Sequence, residues 1–251
     1  MDKKGWFEIV AKTLIFGDSL TNGRIGIGFK KYLDASLVTI GEDGAPISTI
    51  FTNIFNYLEK LDATEKLNVV IQGGGNDLLR PHMLKTNKSW QLVQQNRGQA
   101  LPLMLTDDSL YLNFLNDKLK QLMATNKVDK IIICSITPLG EQLNSSLNVS
   151  RDKRNKLVNK YIERNNNLIW CDISTKLENI ITVASKEENN YLINSPSVLE
   201  QDAISIKNDE IKADSLAEKR NLVVTIDGVH LNSIGAKEVA SALQSCINQL
   251  I

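Results

Sequence analysis

The sequence contains little cysteine and little histidine, and this scarcity restricts the chemistry it can perform. Its three cysteines, Cys134, Cys171 and Cys246, have neither paired spacing nor histidine neighbours. A zinc site requires clustered cysteine and histidine ligands, and a cysteine nucleophile requires an activating base. The cysteines are therefore expected to be reduced core thiols. Any imidazole base must be either His82 or His230.

The sequence also lacks an excess of charge and lacks any long apolar run. Lysine plus arginine and aspartate plus glutamate both number 29 among 251 residues, so no net charge attracts nucleic acid or an anionic membrane. No run approaches the roughly 18 apolar residues of a membrane span. Residues 1–10 and the apolar stretch 13–16 contain no signal-peptide core. We expect a cytoplasmic protein with no nucleic-acid partner and no stable membrane insertion; the sequence makes no prediction of oligomeric state.

Short β-branched runs alternate with longer segments of helical period along the chain. Strands are predicted at 13–16, 36–40, 67–72, 130–135 and 168–172, and helices at 47–61, 109–125, 150–164 and 233–250. The strands are almost entirely apolar, which is typical of strands covered by helices on both faces. The pattern predicts an α/β fold, a three-layer sandwich around a parallel sheet, in one domain over 1–251.

Two intervals exceed what such a sandwich needs, at about 80–106 and 185–220. The first is rich in apolar residues and is expected to contribute to a substrate pocket. It contains Met83, Trp90, Leu101, Leu103, Met104 and Leu105. The second is rich in charged and amide side chains, which favours a solvated surface insertion over a functional one.

Glycine-marked turns follow the first three predicted strands. They contain Gly-Asp-Ser-Leu at 17–20, Gly-Glu-Asp-Gly at 41–44 and Gly-Gly-Gly-Asn-Asp at 73–77. Ligands of open parallel sheets bind outside the carboxyl ends of the strands, so these turns are expected to share one site. Just before the last helix, Asp227 precedes His230 by three residues. A carboxylate at this spacing can fix the tautomer of the imidazole and stabilise its charged form.

Four segments, in this order, resemble the sequence blocks of the SGNH, or GDSL, hydrolases. They are Gly-Asp-Ser-Leu at 17–20, the isolated Gly44, Gly-x-Asn-Asp at 74–77 and Asp-x-x-His at 227–230. Each block alone is common by chance, but together they extend over nearly the whole chain. The resemblance implies a flavodoxin-like sandwich with a five-stranded parallel sheet. It also implies a GDSL-type serine esterase that needs no cofactor and no metal.

The resemblance further implies a role for each residue of these blocks. Ser19 would be the nucleophile, His230 the base that takes its proton, and Asp227 the acid that orients the base. The backbone N–H groups of Ser19 and Gly44 and the side-chain amide of Asn76 would form the oxyanion hole. Taken individually, Ser19 also fits a helix N-cap and Gly44 an ordinary turn.

Several residues near these blocks have predicted roles outside the reaction itself or roles that the sequence leaves open. Asp18 and Asp77 are interpreted as groups that hold their turns by accepting backbone hydrogen bonds. Pro46 stands where related sequences often have a threonine, which is a departure in the second block. His82 is interpreted as a polar loop histidine more readily than as a substrate contact, and Arg80 could meet an anionic substrate group or solvent.

The predicted reaction is hydrolysis of a small-molecule carboxylic ester through an acyl-enzyme on Ser19. A short acyl ester, an O-acetylated carbohydrate and a lysophospholipid all suit this chemistry. One alternative is acyl transfer to an alcohol on the same scaffold. Another is a magnesium-dependent phosphohydrolase or phosphate-binding domain, with Mg²⁺ held by Asp18, Asp77 and Asp172. A third is a binding module without catalysis, because fold does not dictate function.

Overall fold

One parallel sheet of five strands forms the centre of the molecule. The structure is a computed structural model that describes residues 12–97, 102–184, 189–193 and 195–250. The strands are β1 (Lys12–Gly17), β2 (Val38–Gly41), β3 (Leu67–Gln72), β4 (Val128–Cys134) and β5 (Leu168–Cys171), in the spatial order β2-β1-β3-β4-β5. This is the flavodoxin-like strand order, so the predicted α/β sandwich is confirmed.

Ten α-helices connect and cover these strands in the described part of the chain. They are α1 (Ser19–Asn22), α2 (Ile47–Leu58), α3 (Asn76–Thr86), α4 (Lys88–Arg97), α5 (Asp108–Ala124), α6 (Ser146–Ile162), α7 (Ser174–Ala184), α8 (Pro196–Ile206), α9 (Glu210–Lys219) and α10 (Ser233–Ile247). Single 3₁₀ turns occur at Phe29–Tyr32 and Asn248–Leu250. Residues 1–10, where no signal-peptide core was expected, and Leu101 lie outside the described residues.

Two apolar clusters lie on opposite faces of the sheet, because successive strand residues point to opposite sides. On one face, Leu14 and Phe16 of β1 pack in a cluster with residues of α2, α5 and α6. On the other, Ile15 packs in a cluster with residues of α7 and α10. The buried Cys134 and Cys171 belong to this second cluster, and all three cysteines are free thiols, as expected.

The helix predicted at 150–164 begins earlier than expected. Its N-cap is Ser145, whose hydroxyl accepts a hydrogen bond from the N–H of Asn148 at 3.3 Å, so Ser150 lies inside α6. Asn148 is fully buried and bonds through its side chain to the backbone of Leu139. The side-chain cap at Ser145 and the bonds of Asn148 to the loop after β4 explain why a stretch with turn-forming composition is helical here. The helix predicted at 47–61 also ends earlier, at Leu58.

Both long intervals contain helices. The interval 80–106 contains the end of α3 and all of α4, and the interval 185–220 contains α8 and α9. A third, smaller apolar cluster joins them at the carboxyl edge of the sheet, where Met83 of α3 and Ile193 pack with Val229. The second interval is therefore more than a solvated surface insertion. None of the described helices has the length and hydropathy of a membrane span.

Candidate active site

Ser19 lies at the carboxyl end of the sheet, where β1 turns into α1. The N-cap of α1 is Asp18, whose carboxylate accepts a hydrogen bond from the N–H of Leu20 at 3.0 Å. Because Asp18 caps the helix, the Ser19 hydroxyl is available for a different contact. Its Oγ lies 3.0 Å from Nε2 of His230, although 211 positions separate the two residues. The N–H of Ser19 belongs to the first turn of α1, where helix donors have no intrahelical acceptor.

His230 is held by Asp227 through both its ring and its backbone. Nδ1 of His230 lies 2.7 Å from Oδ2 of Asp227, while Oδ1 accepts hydrogen bonds from the N–H groups of Val229 at 3.0 Å and His230 at 2.7 Å. Both side chains are almost completely buried, with 2% of Asp227 and 3% of His230 exposed. The carboxylate therefore fixes one ring orientation, with Nδ1 toward Asp227 and Nε2 toward Ser19.

Burial and charge act in opposite directions on this pair. Burial alone would lower the pKa of His230, but the charge and hydrogen bond of Asp227 outweigh it and raise the pKa above the usual 6.5. Burial would likewise raise the pKa of Asp227, but the charge of His230 and the hydrogen bonds from its ring and backbone lower it. Asp227 is therefore a carboxylate at neutral pH, which stabilises an imidazolium on His230.

Gly44 lies beside Ser19 in the loop after β2. Its φ of 72° is in the left-handed region, and a Cβ added there would meet no atom within 4 Å. The backbone conformation, and not lack of space, therefore favours glycine at this position. Arg80 Nη1 donates a hydrogen bond to the Gly44 carbonyl at 3.0 Å. Arg80 thus holds this loop through the Gly44 carbonyl, and it lines the same cavity as Ser19.

Asn76 is the first residue of α3 and is 8% exposed. Its Nδ2 donates a hydrogen bond to the carbonyl of Ala45 at 3.2 Å. An amide nitrogen carries two hydrogens, so this bond orients the side chain and leaves a second donor. Asn76, Gly44 and Ser19 all line one cavity.

Asp77 holds two other segments near the site. Its carboxylate accepts hydrogen bonds from the N–H of Ile47, at the start of α2, and from that of Leu105, both at 2.9 Å. Pro46 is the N-cap of α2 but makes no side-chain capping bond, so Asp77 provides the acceptor from α3. Asp18 and Asp77 are both buried, and desolvation is the main cause that raises the pKa of each to about 6. Asp18 holds its own turn, as expected, whereas Asp77 mainly holds its neighbours.

A cavity of about 200 Å³ opens beside Ser19 and His230. Most of its apolar wall comes from the two long intervals, which contribute Met83, Leu84, Trp90, Ile193, Pro196 and Leu199, and Leu79 lies just before the first of them. The expectation that 80–106 contributes to a pocket agrees with this wall. The contribution of the second interval was not expected, because charged and amide residues are frequent in it and Ile193, Pro196 and Leu199 do not form a continuous apolar run.

An ion-pair network lies at the rim of this cavity. Nε of Arg24 lies 2.5 Å from Asp43, and its Nη1 bonds to both carboxylate oxygens of Glu200, at 3.1 and 3.0 Å. Arg24 thereby connects the loop after α1 to the loop after β2 and to α8. All three side chains are partly exposed, and Arg24 is 45% exposed.

Two predicted candidates lie elsewhere. His82 lies within α3 and not in a loop as predicted, and it lines a different cavity, together with Gly140 and Ser145. Asp172 caps α7 by accepting hydrogen bonds from Ser174 and Thr175. Among the residues described by the structure, no three acidic, histidine or cysteine side chains are grouped so that they could hold a metal ion. In the described part of the chain, Asp18, Asp77 and Asp172 therefore do not form the cluster that the magnesium hypothesis requires.

No protein-family model and no curated protein matches the sequence. Solved structures match its fold. A lipolytic protein of the G-D-S-L family from Veillonella parvula DSM 2008 has a TM-score of 0.56 at 17% identity, covering 94% of this chain and 98% of that one. The acetyl xylan esterase AlAXEase has a TM-score of 0.59 at 17% identity with the same coverage. Axe2, an acetylxylan esterase from Geobacillus stearothermophilus, has a TM-score of 0.53 at 16% identity, covering 94% of each chain. The chain has the SGNH hydrolase fold.

Proposed function

We propose that this protein is a serine esterase that hydrolyses a carboxylic ester through an acyl-enzyme on Ser19. The observation that carries the proposal is the continuous contact from Asp227 to His230 to Ser19, at 2.7 and 3.0 Å, beside an open cavity. A serine hydroxyl becomes a nucleophile when an adjacent base accepts its proton. Here the base is itself oriented by a buried carboxylate, which completes the arrangement required for acyl transfer.

The reaction proceeds in two proton-balanced steps. His230 Nε2 takes the proton of Ser19 Oγ as the oxygen attacks the ester carbonyl, and it then delivers that proton to the departing alcohol. In the second step, water loses a proton to His230 and attacks the acyl-enzyme. His230 then returns that proton to Ser19 Oγ as the bond to the acyl group breaks and the acid leaves. The N–H groups of Ser19 and Gly44 and the amide of Asn76 stabilise the oxyanion formed in each step.

The cavity supports a small-molecule ester as substrate. Its wall combines apolar side chains from α3, α4 and α8 with charged side chains at the rim. Such a surface suits an ester whose apolar part packs inward and whose polar part faces solvent. Because two of the similar structures are acetylxylan esterases, acetylated carbohydrates belong in the substrate panel beside short acyl esters and lysophospholipids.

A panel of nitrophenyl esters of increasing acyl length tests the proposal, with wild type compared with Ser19→Ala. We expect wild type to hydrolyse at least one ester and Ser19→Ala to lose that activity. Ser48→Ala is a matched control, because Ser48 bonds to the carbonyl of Leu103 and not to His230. Full activity in Ser19→Ala would refute Ser19 as nucleophile. Adding an alcohol to the same assay separates hydrolysis from acyl transfer, because transfer produces a new ester.

A further inference from the structure

The segment that carries Asp227 and His230 is held by a buried carboxylate on a distant loop. Glu141 follows β4, ahead of α6, and is only 5% exposed. Its Oε2 accepts a hydrogen bond from the N–H of Val223 at 2.6 Å. Its Oε1 accepts from the N–H groups of Val224 and Thr225, both at 2.9 Å, and from Thr225 Oγ1 at 2.7 Å. One carboxylate thus satisfies four donors on three consecutive residues.

These donors belong to irregular chain between α9 and α10. The only regular pairing assigned to this described stretch is an isolated bridge between Thr225 and Leu231. Buried backbone N–H groups require acceptors, and Glu141 provides them where no sheet ladder does. A charged acceptor forms stronger hydrogen bonds than a neutral one, so this carboxylate anchors the segment at 223–230.

The anchor extends to the turn that contains Asp227. Thr225 Oγ1, which donates to Glu141, accepts a hydrogen bond from the N–H of Gly228 at 3.1 Å. Gly140, next to Glu141, donates its N–H to the carbonyl of Gly228 at 2.7 Å. The chain at 140–141 therefore bonds to the turn on both sides of Asp227.

We infer that Glu141 is a positioning residue that holds Asp227 and His230 in the geometry they need with each other and with Ser19. The inference rests on the proposed function. Glu141 is not among the residues that line the cavity at Ser19, so its effect on turnover must pass through the segment at 223–230. Displacements of about 1 Å at a catalytic group can cost on the order of 10²-fold in rate. Loss of this anchor should therefore lower kcat while KM changes little.

Glu141→Gln and Glu141→Ala test the inference, with Asp172→Asn as the matched control. Asp172 also accepts four hydrogen bonds, from Ser174, Ser135 and twice from Thr175, but it caps α7 away from the site. We expect kcat to fall on the order of 10²-fold in Glu141→Ala and less in Glu141→Gln, which keeps one acceptor oxygen. Asp172→Asn should retain wild-type kcat. Thermal unfolding of each variant shows that the measured enzyme is folded.

A second measurement reports the geometry without substrate. A proton shared between His230 Nδ1 and Asp227 gives a far-downfield proton NMR resonance, which should weaken or shift in Glu141→Gln and persist in Asp172→Asn. This readout remains decisive if Glu141→Ala fails to fold. A folded Glu141→Gln with unchanged kcat and an unchanged resonance would overturn the inference. Loss of the resonance in Glu141→Gln, when wild type hydrolyses no ester, would support the positioning role and count against the proposed function.

Discussion

Asp227→Asn tests how the carboxylate orients the imidazole, because the aspartate and asparagine side chains have nearly the same shape but differ in charge and in hydrogen-bond donors. In the wild type, Oδ1 accepts two backbone N–H groups at 3.0 and 2.7 Å, and Oδ2 faces Nδ1 of His230 at 2.7 Å. If the asparagine oxygen takes the position of Oδ1, both backbone bonds survive. The amide nitrogen then faces Nδ1 as a donor, so Nδ1 must become the acceptor.

The opposite orientation of the asparagine is disfavoured by its unsatisfied donors. It would place the NH₂ group against the N–H groups of Val229 and His230, leaving two buried donors without an acceptor. Each such loss costs about 1–3 kcal/mol. The first orientation is therefore favoured, and the neutral imidazole carries its proton on Nε2. This nitrogen then cannot accept a proton from Ser19.

A wrong tautomer of this kind reduces kcat by about 10⁴-fold, equivalent to about 5.5 kcal/mol of transition-state stabilisation. The assay is the initial rate of nitrophenyl ester hydrolysis, with thermal unfolding as the control for folding. Asp227→Asn combined with Ser19→Ala should be little worse than Ser19→Ala alone, because the three residues act as one unit. A folded Asp227→Asn enzyme within about tenfold of wild type would refute this account.

Three further predictions concern the oxyanion, the pH profile and the rim. Asn76→Ala should lower kcat about 10²- to 10³-fold with little change in KM in steady-state assays, because its amide acts mainly in the transition state. The pH profile of kcat/KM should have an acidic limb with a midpoint above 6.5, since neutral His230 is required and its pKa is raised. Asp18→Asn should move that limb to lower pH, because the charge of Asp18 helps to raise the pKa of His230. Arg24→Ala should lower the free energy of unfolding by no more than about 1 kcal/mol in denaturant titrations, because its partner Glu200 is 55% exposed and exposed ion pairs contribute little.

The sheet could be predicted because its strands have a strong local signal. Both ends of Leu67–Gln72 agree with the prediction, since a short, mostly apolar run between the charged Lys66 and the glycine-rich turn at 73–75 is distinctive. Several helices lacked such a signal. Helix α3 contains Pro81 and begins in a glycine-rich turn, and α8 and α9 have many charged and polar residues. Their helical structure depends on caps and tertiary contacts, which the periodicity of apolar residues does not reveal.

The proposed catalytic residues could be selected from the sequence because motif order narrows the choice. Only two histidines were available, and only His230 has an aspartate three residues before it. The supporting groups could not be selected in this way. Glu141 is one of many acidic residues and has no local motif, and its partners lie 82 to 84 positions away. Arg24 likewise bonds to Glu200 at a separation of 176 positions.

The topology explains why so many separate segments contribute to one place. In a parallel sheet every strand ends at the same edge, so the turns after β1, β2 and β3 bring Ser19, Gly44 and Asn76 together without any long excursion of the chain. His230 is different, because it lies between α9 and α10 and does not follow a strand of the sheet. Its segment must be fixed from outside by hydrogen bonds, and Glu141, on the loop after β4, is placed at that same edge to fix it. The position of the base should therefore be more sensitive to a change at Glu141 than the position of the nucleophile is.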